Sequence, residues 1–127
     1  MATTAPQRKL LLGTENADGT VTGVTATQSS PWVQADASGL ITVYFRSVGA
    51  TTGGTVLVEE ADWGPLEPPY AGTWSTVQSQ AASTFTGTLQ LAVHVTLSAF
   101  AYWRVRISST ITGGGTVLVS ARTMGPS

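Results

Sequence analysis

His94 is the only histidine in the chain, and cysteine is absent. Thiol nucleophiles, thiolate metal sites and disulfides are therefore excluded. His94 falls at an outward position of a regularly alternating strand, where an imidazole is solvated or meets a partner. A Ser-His-Asp triad needs the base beside a nucleophile and an orienting acid, and none of the serines stands in a nucleophile-elbow pattern. The acids Glu59, Glu60, Asp62 and Glu67 have the look of an acid/base pair or a calcium site. Glycoside hydrolysis, however, requires two carboxyls about 5–9 Å apart across a cleft. Glu59 and Glu60 are adjacent on a strand and so point to opposite faces. Calcium asks for several oxygen ligands at the spacing of a dedicated loop, and that spacing is missing. Gly113-Gly114-Gly115 lacks the Lys-Ser/Thr and the helix of a phosphate-binding loop. The chain is expected to be a non-enzyme with no catalytic residue, metal or cofactor.

The four tryptophans raise a different chemistry, because sugars stack on exposed aromatic rings. Trp103 alternates onto the apolar side of its strand and is expected in the core; Trp74 begins a strand and fits either side. Trp32, after Pro31, suits a lid on the fold, which leaves Trp63 as the exposed platform. Trp63 lies in the longest irregular segment, Asp62-Trp63-Gly64-Pro65-Leu66-Glu67-Pro68-Pro69-Tyr70. Its prolines stiffen an extended loop and prevent sheet pairing. Such a loop either presents Trp63, Leu66 and Tyr70 for contact at low entropic cost or folds Trp63 back over one end of the core.

Strands must carry these groups. Over 88–97, Leu89, Leu91, Val93, Val95 and Leu97 alternate with polar or small residues, the period-two signature of a half-buried strand. Over 100–108, Ala101, Trp103, Val105 and Ile107 take one face, and Tyr102, Arg104 and Arg106 the other. Over 40–48, Ile41, Val43 and Phe45 oppose Tyr44 and Arg46. Weaker strands are expected at 9–12, 20–27, 54–60, 73–78 and 115–122. That makes about eight, separated by Gly, Ser, Asp and Pro clusters. Val, Thr and aromatic residues favour pleated sheet, and the 14 glycines oppose helix. The fold class is all-β, an antiparallel β-sandwich, Ig-like or jelly-roll-like, with no substantial helix. One sequence echo stands out: Gly53-Gly54-Thr55-Val56-Leu57-Val58 recurs as Gly114-Gly115-Thr116-Val117-Leu118-Val119. Each copy follows an aromatic strand carrying arginine, so each reads as a hairpin with a glycine-rich turn.

With 127 residues and 42% hydrophobic content, there is material for a single core. The division expected is an N-terminal arm with a first short strand over 1–13, then one sandwich domain over 14–127. Charged residues are only 10% of the chain, against about 25% in an ordinary globular domain. Threonine supplies 21 residues instead. That surface either lies against other protein or belongs to a β domain tolerant of threonine on its strand faces. All seven acids precede Pro68, where they outnumber three bases; beyond it stand only Arg104, Arg106 and Arg122 with His94. Opposed charge at the two ends suits head-to-tail contacts or cancels within the fold. Nucleic acid is not expected, since no Lys/Arg cluster forms a phosphate-binding patch. No apolar run reaches the roughly 18 residues of a membrane span, and Leu10-Leu11-Leu12 is too short for a signal peptide. The segment 1–7 with Arg8 and Lys9 is either an arm that adds to a neighbour's sheet or a frayed tail.

The succession Leu57-Val58-Glu59-Glu60-Ala61-Asp62, Thr73-Trp74, Tyr102-Trp103-Arg104-Val105-Arg106 and Gly115-Thr116-Val117-Leu118-Val119 resembles small β-sandwich virion proteins of tailed bacteriophages. The resemblance spans 40–122 through loose β-sheet patterns. The chain departs from it by placing the proline-rich segment between Asp62 and Thr73-Trp74, where a short turn is usual. The resemblance implies a structural role on the virion, commonly capsid decoration or cement, otherwise a fibre or tail component. It implies synthesis in the host cytoplasm, a place on the capsid surface, and the major capsid protein and further copies of the chain, as a homotrimer, for partners. It carries over no catalytic residue. Arg8, Lys9, Trp63, Leu66, Tyr70, Arg104 and Arg106 are the expected protein contacts. The competing expectation is a glycan-binding or host-adhesion module.

Overall fold

The computed structural model describes residues 8–61, 74–87 and 90–123. Their strands are β1 (Lys9–Leu12), β2 (Thr14–Glu15), β3 (Val21–Thr22), β4 (Gln28–Ser29), β5 (Val33–Gln34), β6 (Leu40–Val48), β7 (Gly53–Ala61), β8 (Ser75–Ala81), β9 (Leu91–Thr96), β10 (Tyr102–Thr112) and β11 (Thr116–Thr123). The all-β sandwich class holds, with eleven strands rather than eight. The extra ones are two-residue pairings that no hydrophobic alternation could signal. The strand expected over 20–27 shrinks to β3, because the chain there leaves the sheet and returns through a single bridge, Val24 to Val117. The one helical turn among the described residues is 3-10, Ala82–Phe85.

Pairing is antiparallel throughout. One sheet runs β1-β11-β6-β9; the other runs β4-β10-β7-β8, with β5 also on β10. Taking β4 and β5 as one interrupted strand, the first and last strands of the sandwich pair, then the second and second-last, down to the β7–β8 hairpin at the tip. That is a long antiparallel ribbon rolled on itself, the double Greek-key order of a jelly roll. The Ig-like alternative is thereby corrected, since nearly every connection crosses between sheets. Alternate residues of both sheets meet inside: Val43 and Phe45 of β6 and Val117 and Val119 of β11 face Val56 and Val58 of β7 and Trp103, Val105 and Ile107 of β10. Phe85 closes one end against Phe45, ring centroids 5.4 Å apart.

The repeated glycine-rich segments do not make hairpins. β6 pairs with β11 over eight residues, from Thr116 opposite Val48 to Thr123 opposite Ile41, while β7 pairs with β10. Each turn is an arch that carries the chain from one sheet to the other, and the strands it joins are central. A hairpin loop would lie in water, whereas Thr51 in the first arch is fully buried. Its N–H donates to Thr86 Oγ1 at 2.7 Å and its hydroxyl donates to the Ala82 carbonyl at 3.0 Å. The two arches also bond one another: Gly115 N–H donates to the Ala50 carbonyl at 2.7 Å and Thr52 N–H to the Thr112 carbonyl at 2.8 Å. Gly113 sits in this junction at φ 111°, where a Cβ would meet Thr52 N at 2.7 Å. Its neighbour Gly114, at φ 95°, has open space around it.

Aspartates fasten two of the turns. Asp36 Oδ1 accepts from the Ser38 N–H at 2.9 Å and the Ser38 hydroxyl at 2.6 Å, and Asp18 Oδ1 accepts from both donors of Thr20. Hydrogen bonding from the Ser38 side chain holds the Asp36 carboxyl below its ordinary range, and that from the Thr20 side chain does the same for Asp18.

Two outcomes are expected. Gly114→Ala should lower stability by about 1–2 kcal/mol through backbone strain alone. Gly113→Ala should cost clearly more, because the arches must also part; urea unfolding of both variants measures the difference. For Asp36, a lowered native pKa means its stabilisation is complete above about pH 4 and is lost as pH falls through the native value. The stability gap between the parent chain and Asp36→Ala should therefore be full at about pH 5 and narrow as the pH falls below about 4 in denaturant titrations.

Candidate functional site

On β10 the inward alternation of Trp103, Val105 and Ile107 leaves Tyr102, Arg104 and Arg106 on the outward face of their sheet. In the register with β7, Arg104 stands directly opposite Glu59 and Arg106 opposite Leu57, so Arg106 reaches Glu59 on the diagonal. Arg104 Nε donates to Glu59 Oε1 at 3.0 Å. Arg106 Nε donates to the same oxygen at 3.1 Å, and Arg106 Nη2 to Oε2 at 3.1 Å. Glu59 is 3% exposed, while the arginine side chains are 24% and 36% exposed. The Arg104 guanidinium also lies over the Trp74 ring, 4.1 Å from its centroid, which resolves the position of Trp74 as half-buried beneath a cation. Two cations share one carboxylate, so the cluster carries a formal excess of one positive charge on an otherwise Thr-, Ser- and Gln-rich face.

This geometry suits holding rather than reacting. All three donors aim at Glu59, which is buried. Glu60 points the other way, as strand alternation requires, and Glu60 Oε2 accepts from the Ser98 N–H at 2.9 Å. His94 is exposed on the opposite sheet, with Nδ1 3.0 Å from Thr42 Oγ1. Among the described residues no group of three or more His, Cys, Asp or Glu side chains converges to hold a metal. Asp62 and Glu67 lie outside the described residues.

Of the expected contact residues, the structure brings Arg104 and Arg106 together. Arg8 lies on the other side of the sandwich, its guanidinium 4.0 Å from the Tyr44 ring centroid and bonded to Gln90 Oε1. Lys9 is exposed on β1, opposite Ala121. Trp63, Leu66 and Tyr70 fall outside the described residues. Sequence reasoning expected Trp32 as a lid on the fold and gave Phe100 no role. Trp32 is 44% exposed and meets Tyr102 edge-on at 4.9 Å; Phe100 is 59% exposed. Phe100 holds φ 60° at the turn into β10, a left-handed backbone that costs about 1–3 kcal/mol in a non-glycine residue. Alternation put Phe100 inside a strand and concealed its exposure. Arg46, assigned only an outward face by alternation, was not among the expected site residues.

No protein-family model matches the chain, and neither a curated protein nor a solved structure matches it.

Removing Glu59 leaves two guanidiniums packed together without the carboxylate that accepts their hydrogen bonds. Glu59→Ala should cost about 2–3 kcal/mol, below the 3–5 of a fully buried pair because both arginines reach water. Arg106→Ala should cost only about 1 kcal/mol, since Glu59 keeps Arg104. Chemical denaturation of the two variants checks the order.

Proposed function

We propose that this chain is a non-enzymatic structural protein of a virion, a capsid decoration or cement protein that stabilises the head through protein–protein contacts. Its partners are the major capsid protein and further copies of itself, most simply as a trimer on the capsid surface. The observation that carries the reading is how the few charges are used: Arg104 and Arg106 are tied to Glu59, and the sheet faces around them bear threonine, serine and glutamine. A face of that kind docks with few ions to desolvate. The rolled sandwich with its interlocked arches supports the same reading, because a cement protein must resist load without rearranging. Jelly rolls recur in viral capsid domains and in lectins, although fold alone does not define function.

One observation favours a second reading, glycan binding or host adhesion: Trp32 is exposed and braced by Tyr102, with Gln34 on the neighbouring strand position. Two measurements separate the readings. Decoration predicts an oligomer by light scattering that co-sediments with capsids of the phage encoding it, and capsids lacking it that break at lower temperature. Adhesion predicts a monomer with saturable sugar affinity that is lost in Trp32→Ala or Trp63→Ala. A monomer with neither capsid nor sugar affinity would sink both.

A further inference from the structure

The outward face of the β1-β11-β6-β9 sheet is partly roofed by its own edge. β1 leaves β11 after Leu12 pairs with Val119, and the chain rejoins β11 where Val24 pairs with Val117. The intervening residues fold into the β2–β3 hairpin, with Thr14 opposite Thr22 and Glu15 opposite Val21. Its tip is braced from within: Asn16 N–H donates to the Thr20 carbonyl at 2.8 Å, and Asn16 Nδ2 donates to the hydroxyls of Thr20 and Thr22 at 3.0 Å. The hairpin is pressed onto β11 at Gly23, where a Cβ would fall 2.9 Å from the Val117 carbonyl oxygen. It is thus a fixed roof.

Beneath it lies a cavity of about 110 Å³, with Arg46 and Tyr44 of β6 on the floor, Arg8 at one side, and Glu15, Val21 and Leu118 around the rest. Arg46 is the unexplained member. Its Nε is buried and has no hydrogen-bond partner among the described residues. A buried donor left unpaired is destabilising, more so when charged. Arg8 is differently placed, stacked on Tyr44 and bonded to Gln90. Neither guanidinium forms an ion pair with Glu15 among the described residues, where the ion pairs all involve Glu59. Two cations and one carboxylate leave the cavity with one formal positive charge.

From this arrangement we infer that the cavity is a binding site for a carboxylate on a short aliphatic stem. The planar fork of an arginine matches a carboxylate through two parallel N–H bonds, and Arg46 lines the cavity beside Tyr44. The stem lies against Val21 and Leu118. A monoanion neutralises the site, whereas a phosphate dianion leaves excess negative charge facing Glu15. The volume is below the ~150 Å³ of a cavity that holds benzene, and it admits a group of acetate to butyrate size. The carboxylate comes either from a free small acid or from an acidic side chain of a docked protein segment. The inference does not rest on the virion reading.

The test is a titration of the full chain, followed by amide chemical shifts, with butyrate, inorganic phosphate and a blocked tripeptide carrying a central glutamate. Saturable shifts at Val21 and Leu118 with butyrate or the peptide are expected, and none with phosphate. Butyrate alone identifies a free acid as the source, and tighter binding of the peptide identifies a protein side chain. Arg46→Gln should weaken the affinity at least tenfold with an unfolding midpoint no lower than the parent's, and Arg46→Lys, which keeps charge but loses the fork, should fall between in affinity. Glu15→Gln, outside the sheet and solvent-facing, should strengthen carboxylate binding several-fold. Shifts that never saturate, equal affinity in Arg46→Gln, or phosphate binding as well as butyrate would each overturn the inference.

Discussion

Two strand pairs hold this molecule closed, β6 with β11 and β7 with β10, and each joins the middle of the chain to its end. Because one pair sits at the centre of each sheet, both sheets are completed only when the last third of the chain arrives. The arches that connect the four strands then lock at one end, where Ala50 and Thr52 bond Gly115 and Thr112 across the gap. Closing such distant contacts is entropically costly before it is rewarded, which marks this as a slow-folding topology. The result is a core whose two halves cannot slide independently, since a register slip in one sheet would pull on the arch into the other.

That closure also creates the surfaces. Trp103, Val105 and Ile107 are consumed by the core, so Arg104 and Arg106 must share the outward face; β7 lies beside them only because the first arch crosses sheets. Glu59 meets both arginines for that reason. On the other sheet the same alternation that buries Val43 and Phe45 sends Tyr44 and Arg46 outward, under a hairpin that exists because β1 departs from β11 and returns. The two basic features of the molecule therefore stand on opposite faces, one satisfied by a carboxylate within the fold and one with a buried donor unmet.

Much of the fold was legible in the chain. Strands at Lys9–Leu12 and Leu40–Val48 form with the bounds expected, and the faces assigned to Tyr44, Arg46, Arg104, Arg106 and His94 are those observed. The glycine-rich repeat was legible as two turns but not as arches, because the alternation of a strand is identical whether its successor lies in the same sheet or the facing one. Phe100 escaped for a related reason: periodicity assigns a face but does not see a left-handed backbone that turns a residue out of its strand. The candidate contacts were legible by type alone. Nothing in the spacing of Glu59 from Arg104 and Arg106, more than forty residues on, distinguishes them from the other charges.

By itself, then, the amino-acid order determined an all-β chain, the inward and outward residues of its main strands, a weakly charged surface and the lack of cysteine chemistry. These are local properties, set by side-chain type and the two-residue repeat of a strand. Which strands became neighbours was decided only in three dimensions, by competition among pairings that local preference rates alike. That choice put Glu59 between two arginines, pressed Gly23 against β11 and enclosed the Arg46 side chain, because hydrogen-bonded register and close packing act between segments that sequence separation alone does not connect.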